Sequence, residues 1–177
     1  MLNNRKFDKK EIDKICKNLT VVVDSREKAN GHILEYFDKH KIKYKVDKLD
    51  YGDYSVCVDP MQEYGITHAL DFRDSVLIER KSGWNELYGN IVTNRARFCQ
   101  ELAMCKVKMP IYVEQSWDDL YDGNYRSKYS PNAFLASLYT FEHRYGVVFK
   151  SIPKERMGKQ IFVYLYYYLR ERLKWWI

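Results

Sequence analysis

The sequence predicts an α/β sandwich with a mixed central sheet flanked by helices, and three observations carry that expectation. Short apolar runs at residues 19–23, 111–114 and 147–152 read as strands. Between them apolar residues recur at helical spacing, as Ile91, Arg95, Phe98, Leu102 and Cys105 do with steps of four and three. The resulting order is strand, helix, strands, helix, strand, helix, strand, helix, an alternation typical of helices packed on a sheet.

Residues 1–20 are polar and basic. Besides Met1 and Leu2, only Phe7, Ile12 and Ile15 are sizeable apolar residues before Leu19, so this N-terminal extension reads as a short helix lying on the domain or as a frayed tail. The main domain is expected over residues 21–177. Residues 19–23 form a β-branched run ending at Asp24, the pattern of a strand buried on both faces. Ile33, Leu34 and Phe37 place a helix over residues 32–41, and residues 44–58 alternate around Gly52-Asp53, which predicts a hairpin. Residues 59–74, with Pro60 and Gly65, read as a long loop before a third strand at 75–81. Pro110 closes the helix that carries Phe98 and Leu102, and Gly146 is the natural stop of the next, marked by Phe134, Leu138, Phe141 and Tyr145. Pro153 opens the last helix, whose Met157, Ile161, Tyr164, Leu165 and Tyr168 make an apolar stripe toward Trp175 and Trp176. That stripe reads as core or as a dimer surface.

The chain of 177 residues holds 30 Lys and Arg against 24 Asp and Glu, a formal charge of +6. This permits a polyanionic partner without requiring one. The richness in Lys, Tyr, Asn and Ile resembles the codon bias of an AT-rich genome, which weakens any argument from Lys count. No apolar run approaches the roughly 20 residues that span a bilayer, and the polar start lacks the apolar stretch of a signal peptide, so no membrane association and a cytoplasmic location are expected. Cys16, Cys57, Cys99 and Cys105 form no CxxC pair and no zinc-finger spacing with His32, His40, His68 or His143, which points to reduced, mostly buried thiols.

Chemistry concentrates at residues 77–81. A strand there sets Glu79 and Lys81 on one face and Arg80 on the other. A carboxylate beside an ammonium suits metal-dependent phosphodiester cleavage: the acid holds a divalent cation, and the lysine orients or helps deprotonate a water and steadies the phosphate. An isolated E-x-K is more often a surface ion pair, but this strand follows Val76, Leu77 and Ile78 and so lies in the core, where a lone glutamate is costly. Asp24, Asp53 and Asp74 are the acids available to complete an oxygen-ligand site.

Val-Asp-Ser-Arg-Glu at 23–27, Gly-Asp-Tyr at 52–54 and Ile-Glu-Arg-Lys-Ser at 78–82 resemble the ordered blocks of the XPF-type (ERCC family) structure-specific nucleases, whose signature is GD, a gap, then ERK-x-x-x-D. The likeness runs from about Val21 to Phe98, and residues 141–147 resemble the short stand-alone bacterial and phage members. It implies a restriction-endonuclease-like three-layer sandwich and Mg²⁺- or Mn²⁺-dependent cleavage of branched, flapped or single-stranded DNA. By motif match Asp24, Asp53 and Glu79 are acidic ligands, Lys81 is the catalytic lysine, and Arg80 is a phosphate or structural partner. The final acid of the signature falls on Asn85, with Glu86 beside it, and the long gap between Asp53 and Glu79 suggests an inserted loop. Arg26 either contacts phosphate or locks the acids, or else pairs with Glu27. Arg95 and Arg97 are expected to track the DNA backbone. XPF-type relatives pair through their nuclease domains, so a homodimer is implied. A non-catalytic DNA-binding scaffold subunit is the alternative reading.

Overall fold

The computed structural model describes residues 6–107 and 109–175; the expectations for Met1, Leu2 and Trp176 lie outside them. Helix α1 (Lys9–Lys17) opens on a capping box, with Asp8 and Glu11 each accepting from the other's backbone N–H. Its Ile12, Ile15 and Cys16 are buried, so this segment is a docked helix. Strand β1 (Leu19–Asp24) is buried along its whole length. It leads through α2 (Gly31–Lys39) to β2 (Lys43–Asp47), which pairs parallel to β1.

The expected hairpin is not what forms. Strand β3 (Tyr54–Val58) pairs antiparallel with β1 on the side away from β2, so β1 separates the two strands that follow it. The connection crosses the carboxyl end of β1, where the Ser25 N–H donates to the Asp47 carbonyl (3.0 Å) and the Asp24 N–H to the Asp53 carbonyl (2.8 Å). This crossing sets Asp53 beside Asp24. Along its other edge β3 divides its partners: Cys57 and Val58 pair with the short β4 (Leu70–Asp71), and Tyr54 bridges to Ile78. Regular pairing of the third predicted strand is confined to β5 (Glu79–Lys81), because residues 75–78 run irregularly out of a turn in which Ser75 and Val76 both donate to the Phe72 carbonyl.

Helix α3 (Trp84–Tyr88) and helix α4 (Arg95–Met104) are joined by one π-helical turn, Gly89–Thr93, so the helix that the sequence predicts from Ile91 starts inside this irregular turn. Strand β6 (Pro110–Val113) pairs parallel with β5, and β7 (Val148–Ser151) parallel with β6. Between them lie α5 (Trp117–Tyr121), a short helix that the apolar spacing does not predict, and α6 (Pro131–Tyr145). Helix α6 begins on a Ser130 cap and ends on Gly146 at φ 67°, as predicted. Helix α7 (Met157–Lys174) closes the fold.

The sheet separates two apolar cores, and the period of two decides which residue enters which. Val21, Val23, Val56 and Tyr112 face α1, α2 and α7, while Val22, Cys57, Ile111 and Val113 face the layer of α3 to α6. This is the three-layer arrangement expected. Close packing of α7 on α2 depends on Gly158, where a Cβ would lie 2.8 Å from the Cβ of Tyr36. All four cysteines are free thiols, Cys16 and Cys57 buried and the other two half-buried. Among the described residues no helix is long and apolar enough to cross a membrane.

Candidate active site

The three sequence blocks meet where β1 ends, β3 begins and β5 runs alongside. Gly52 makes the meeting possible. It adopts φ +68°, and a Cβ there would lie 3.2 Å from the Ile78 carbonyl oxygen and 2.9 Å from Met109 Sδ, so a larger residue meets both strain and backbone. Asp53 follows, with its N–H donating to the Ile78 carbonyl (2.8 Å) and its Oδ2 accepting from the Arg80 N–H (2.7 Å). Register with β6 sends Glu79 and Lys81 to the same face as Ile111 and Val113, toward α4, and Arg80 to the opposite face with Tyr112. The result is a cleft of about 320 Å³ whose lining includes Asp24, Asp53, Glu79, Lys81, Asn90 and Arg97.

Charge inside the cleft is unevenly matched. Lys81 Nζ lies 2.7 Å from Glu79 Oε1 and 3.4 Å from Glu86 Oε1. Burial works against its ammonium, but the two carboxylates outweigh burial and hold its pKa above the ordinary lysine value. Lys81 is therefore held as a cationic hydrogen-bond donor between the two carboxylates. Asp24 is enclosed, and burial alone would raise its pKa; hydrogen bonds from Arg26 and the Leu49 N–H more than reverse this and keep it ionised. Asp53 goes the other way. Burial and then the neighbouring Glu79 charge push its pKa well above the usual carboxylate range, and the Arg80 amide offsets them only in part.

Over residues 23–157, most of its length, the chain matches the ERCC4 domain. It belongs to the ERCC4 domain family. The fold agrees: XPF from Aeropyrum pernix aligns with a TM-score of 0.58 at 17% identity over 82% of this chain and 59% of that one. XPF from Aeropyrum pernix in complex with DNA aligns with a TM-score of 0.61 at 18% identity over 87% and 66% respectively. The chain thus spans less than two thirds of the length of these structures. Among curated proteins none matches it by sequence.

Within this XPF-type nuclease domain the predicted site residues divide into two groups. Asp24, Arg26, Asp53, Glu79, Lys81 and Arg97 share the cleft. Arg26 locks an acid, as one of its readings had it: Nε binds Asp24 Oδ1 at 2.7 Å and a terminal nitrogen reaches the Leu49 carbonyl at 2.7 Å. Glu27 pairs elsewhere. Arg97 is exposed and held by Glu101 at 2.8 Å, one helical turn on. Asp74 is not brought into the acidic set, because the turn before β5 carries it to a neighbouring groove beside Asp71 and Arg73. Arg80 leaves the cleft too: it is buried behind the sheet, 3.0 Å from both Glu27 and Glu114, with Nε unpartnered among the described residues. Glu114 also meets His32 Nε2 at 2.6 Å. Arg95 lies over the Phe141 ring, 5.1 Å from its centre, and bonds the Ile91 carbonyl. At the signature's final position Asn85 Oδ1 accepts from the Arg126 N–H at 2.7 Å, a role an aspartate oxygen would also fill.

The donor set suits a hard cation in one specific way. No trio of His, Cys, Asp or Glu among the described residues is gathered to hold a metal ion, and Asp24 has both oxygens engaged. Asp53 and Glu79 remain, two carboxylates whose mutual repulsion a divalent cation would relieve. Mg²⁺ is commonly held by one or two carboxylates and substrate phosphate while keeping several waters, so this pair fits it.

Proposed function

We propose that this ERCC4 domain is a DNA endonuclease dependent on Mg²⁺ or Mn²⁺, acting on branched, flapped or single-stranded DNA in repair, recombination or phage DNA processing. The observation that carries the reading is the Asp53 and Glu79 pair set beside protonated Lys81 in one open cleft. Asp53 and Glu79 would hold the cation, which supplies Lewis acidity at a phosphate oxygen and lowers the pKa of a bound water. Lys81 would donate to the phosphate as negative charge builds on it. Arg26 fixes Asp24 and leaves the remaining acids to the metal. Arg97 stands at the rim, where a guanidinium released from Glu101 can pair with a backbone phosphate. Asp74, Arg80 and Arg95 take no part in the cleft.

The test is a panel of flapped, branched, single-stranded and duplex DNA incubated with Mg²⁺, Mn²⁺ or EDTA. Cleavage is expected with either cation and none with EDTA. Glu79→Gln should lower the rate by at least about 10²-fold, as loss of a preorganised charged group does, with DNA affinity unchanged. No cleavage of any substrate, or full cleavage by Glu79→Gln, overturns the proposal. The engagement of Asp24 by Arg26 favours a second reading, a non-catalytic DNA-binding scaffold subunit. DNA binding without cleavage in the same panel supports it.

A further inference from the structure

The π-helical turn Gly89–Thr93 is an irregularity in the helical layer that faces the acids. Such turns collect at functional sites, since the extra residue re-aims a side chain at the expense of regular backbone bonding. Here Asn90, Asn94, Arg97 and Glu101 all line the cleft at successive spacings of four, three and four residues. Asn90 stands apart from the other three. Its carboxamide oxygen is enclosed and has no hydrogen-bond partner among the described residues. Enclosed acceptors in folded proteins are nearly always paired, so an unpaired one beside a reactive cleft calls for a donor from outside the chain.

The rest of the cleft indicates which donor. Phosphate offers none at neutral pH. Both oxygens of Asp24 are engaged by Arg26 and the Leu49 N–H, while Asp53 and Glu79 have one oxygen each bound, Oδ2 by the Arg80 N–H and Oε1 by Lys81, which leaves their second oxygens for a cation. A cation held by two carboxylates keeps much of its water, and metal-bound waters are strong donors that require acceptors around them. We propose that Asn90 is a positioning residue of the metal site, its carboxamide oxygen accepting a hydrogen bond from a water on a divalent cation held by Asp53 and Glu79. This assignment rests on the nuclease reading above.

Its test does not depend on cleavage. Mn²⁺ is titrated into the full chain without DNA, free Mn²⁺ being read by electron paramagnetic resonance, for wild type, Asn90→Ala and Asn90→Asp. Loss of such an outer partner typically weakens metal binding by about 10-fold or more, so Asn90→Ala should bind Mn²⁺ about that much more weakly. Asn90→Asp, which keeps the acceptor, should bind at least as tightly as wild type. The melting temperature of Asn90→Ala without metal should not fall, because the substitution removes no protein hydrogen bond. In cleavage, Asn90→Ala should need more Mg²⁺ for half-maximal rate while KM for DNA at saturating metal stays unchanged. Wild-type Mn²⁺ affinity in Asn90→Ala, a lowered melting temperature, or a raised KM for DNA with metal binding intact each overturns the assignment and leaves the nuclease reading standing. A wild-type chain that neither binds Mn²⁺ nor cleaves DNA overturns both.

Discussion

Asp53 is a half-buried carboxyl group set beside a second carboxylate, and the consequence reaches stability. Its folded-state pKa is raised, so the folded chain holds a proton that the unfolded chain releases near a pH of about 4. The stabilisation from this group is complete below the unfolded value and is lost as pH rises through the folded value. Without divalent metal, the melting temperature of wild type should therefore decline through that window, and Asp53→Asn should lack this component and melt higher at neutral pH. Mg²⁺ should raise the wild-type value more than that of the variant. Parallel pH profiles for the two proteins would remove the argument. That Asp24, Asp53, Glu79 and Lys81 come together was legible in the sequence because each sits in a short block at a strand end, where motif and structure are both local. Asp74 was not, since its position depends on an irregular turn that β-propensity does not register. The partners of Arg80 were also hidden: Glu27 lies 53 residues away, and only the fold brings the two together.

At the scale of elements, packing of α7 on α2 sets helix propensity against space at one position. Gly158→Ala gains about 1 kcal/mol of intrinsic helix stability, but its Cβ would stand 2.8 Å from the Cβ of Tyr36, next to that residue's backbone where little can yield. Overpacking of this kind costs about 1–3 kcal/mol, so the variant should be less stable on balance by up to about 2 kcal/mol in urea denaturation. A variant as stable as wild type would mean that α2 shifts without cost. Elements of long, strongly periodic sequence, such as α6 with its Ser130 start and Gly146 stop, were legible from local signals. The placement of β2 and β3 on opposite sides of β1 was not, because alternation fixes which residues face a core but not which strand is the neighbour. Likewise the π turn lies at the start of the apolar pattern from Ile91 to Cys105, and nothing in that pattern marks the extra residue.

At the scale of the whole molecule, the core does not use every aromatic residue of α7: Tyr167 is 53% exposed, and Trp175, just past the helix, is 75% exposed. Exposed aromatics of this size point to association, so a homodimer of the 21.4 kDa chain is expected in light scattering at micromolar concentration. Tyr167→Glu should return it to a monomer, and a monomeric wild type at every concentration would remove the idea. The sheet has its own weak line. Strands β1 to β4 form one hydrogen-bonded group and β5 to β7 another, and backbone bonds between residues 53–54 and 78 carry the pairing across. Asp24 and Asp53 stand on one side of that line, Glu79 and Lys81 on the other. Such a thin junction makes the seam a candidate for opening below the global unfolding energy. Amide exchange at Tyr54 and Ile78 should then be faster than at Val22 or Tyr112 in the strand centres, and equal protection would show a single cooperative sheet. If the domain cleaves DNA, cleavage in mild denaturant should end while both halves of the sheet are still folded, because Asp53 has drifted from Glu79 and Lys81 before either half has lost its strands.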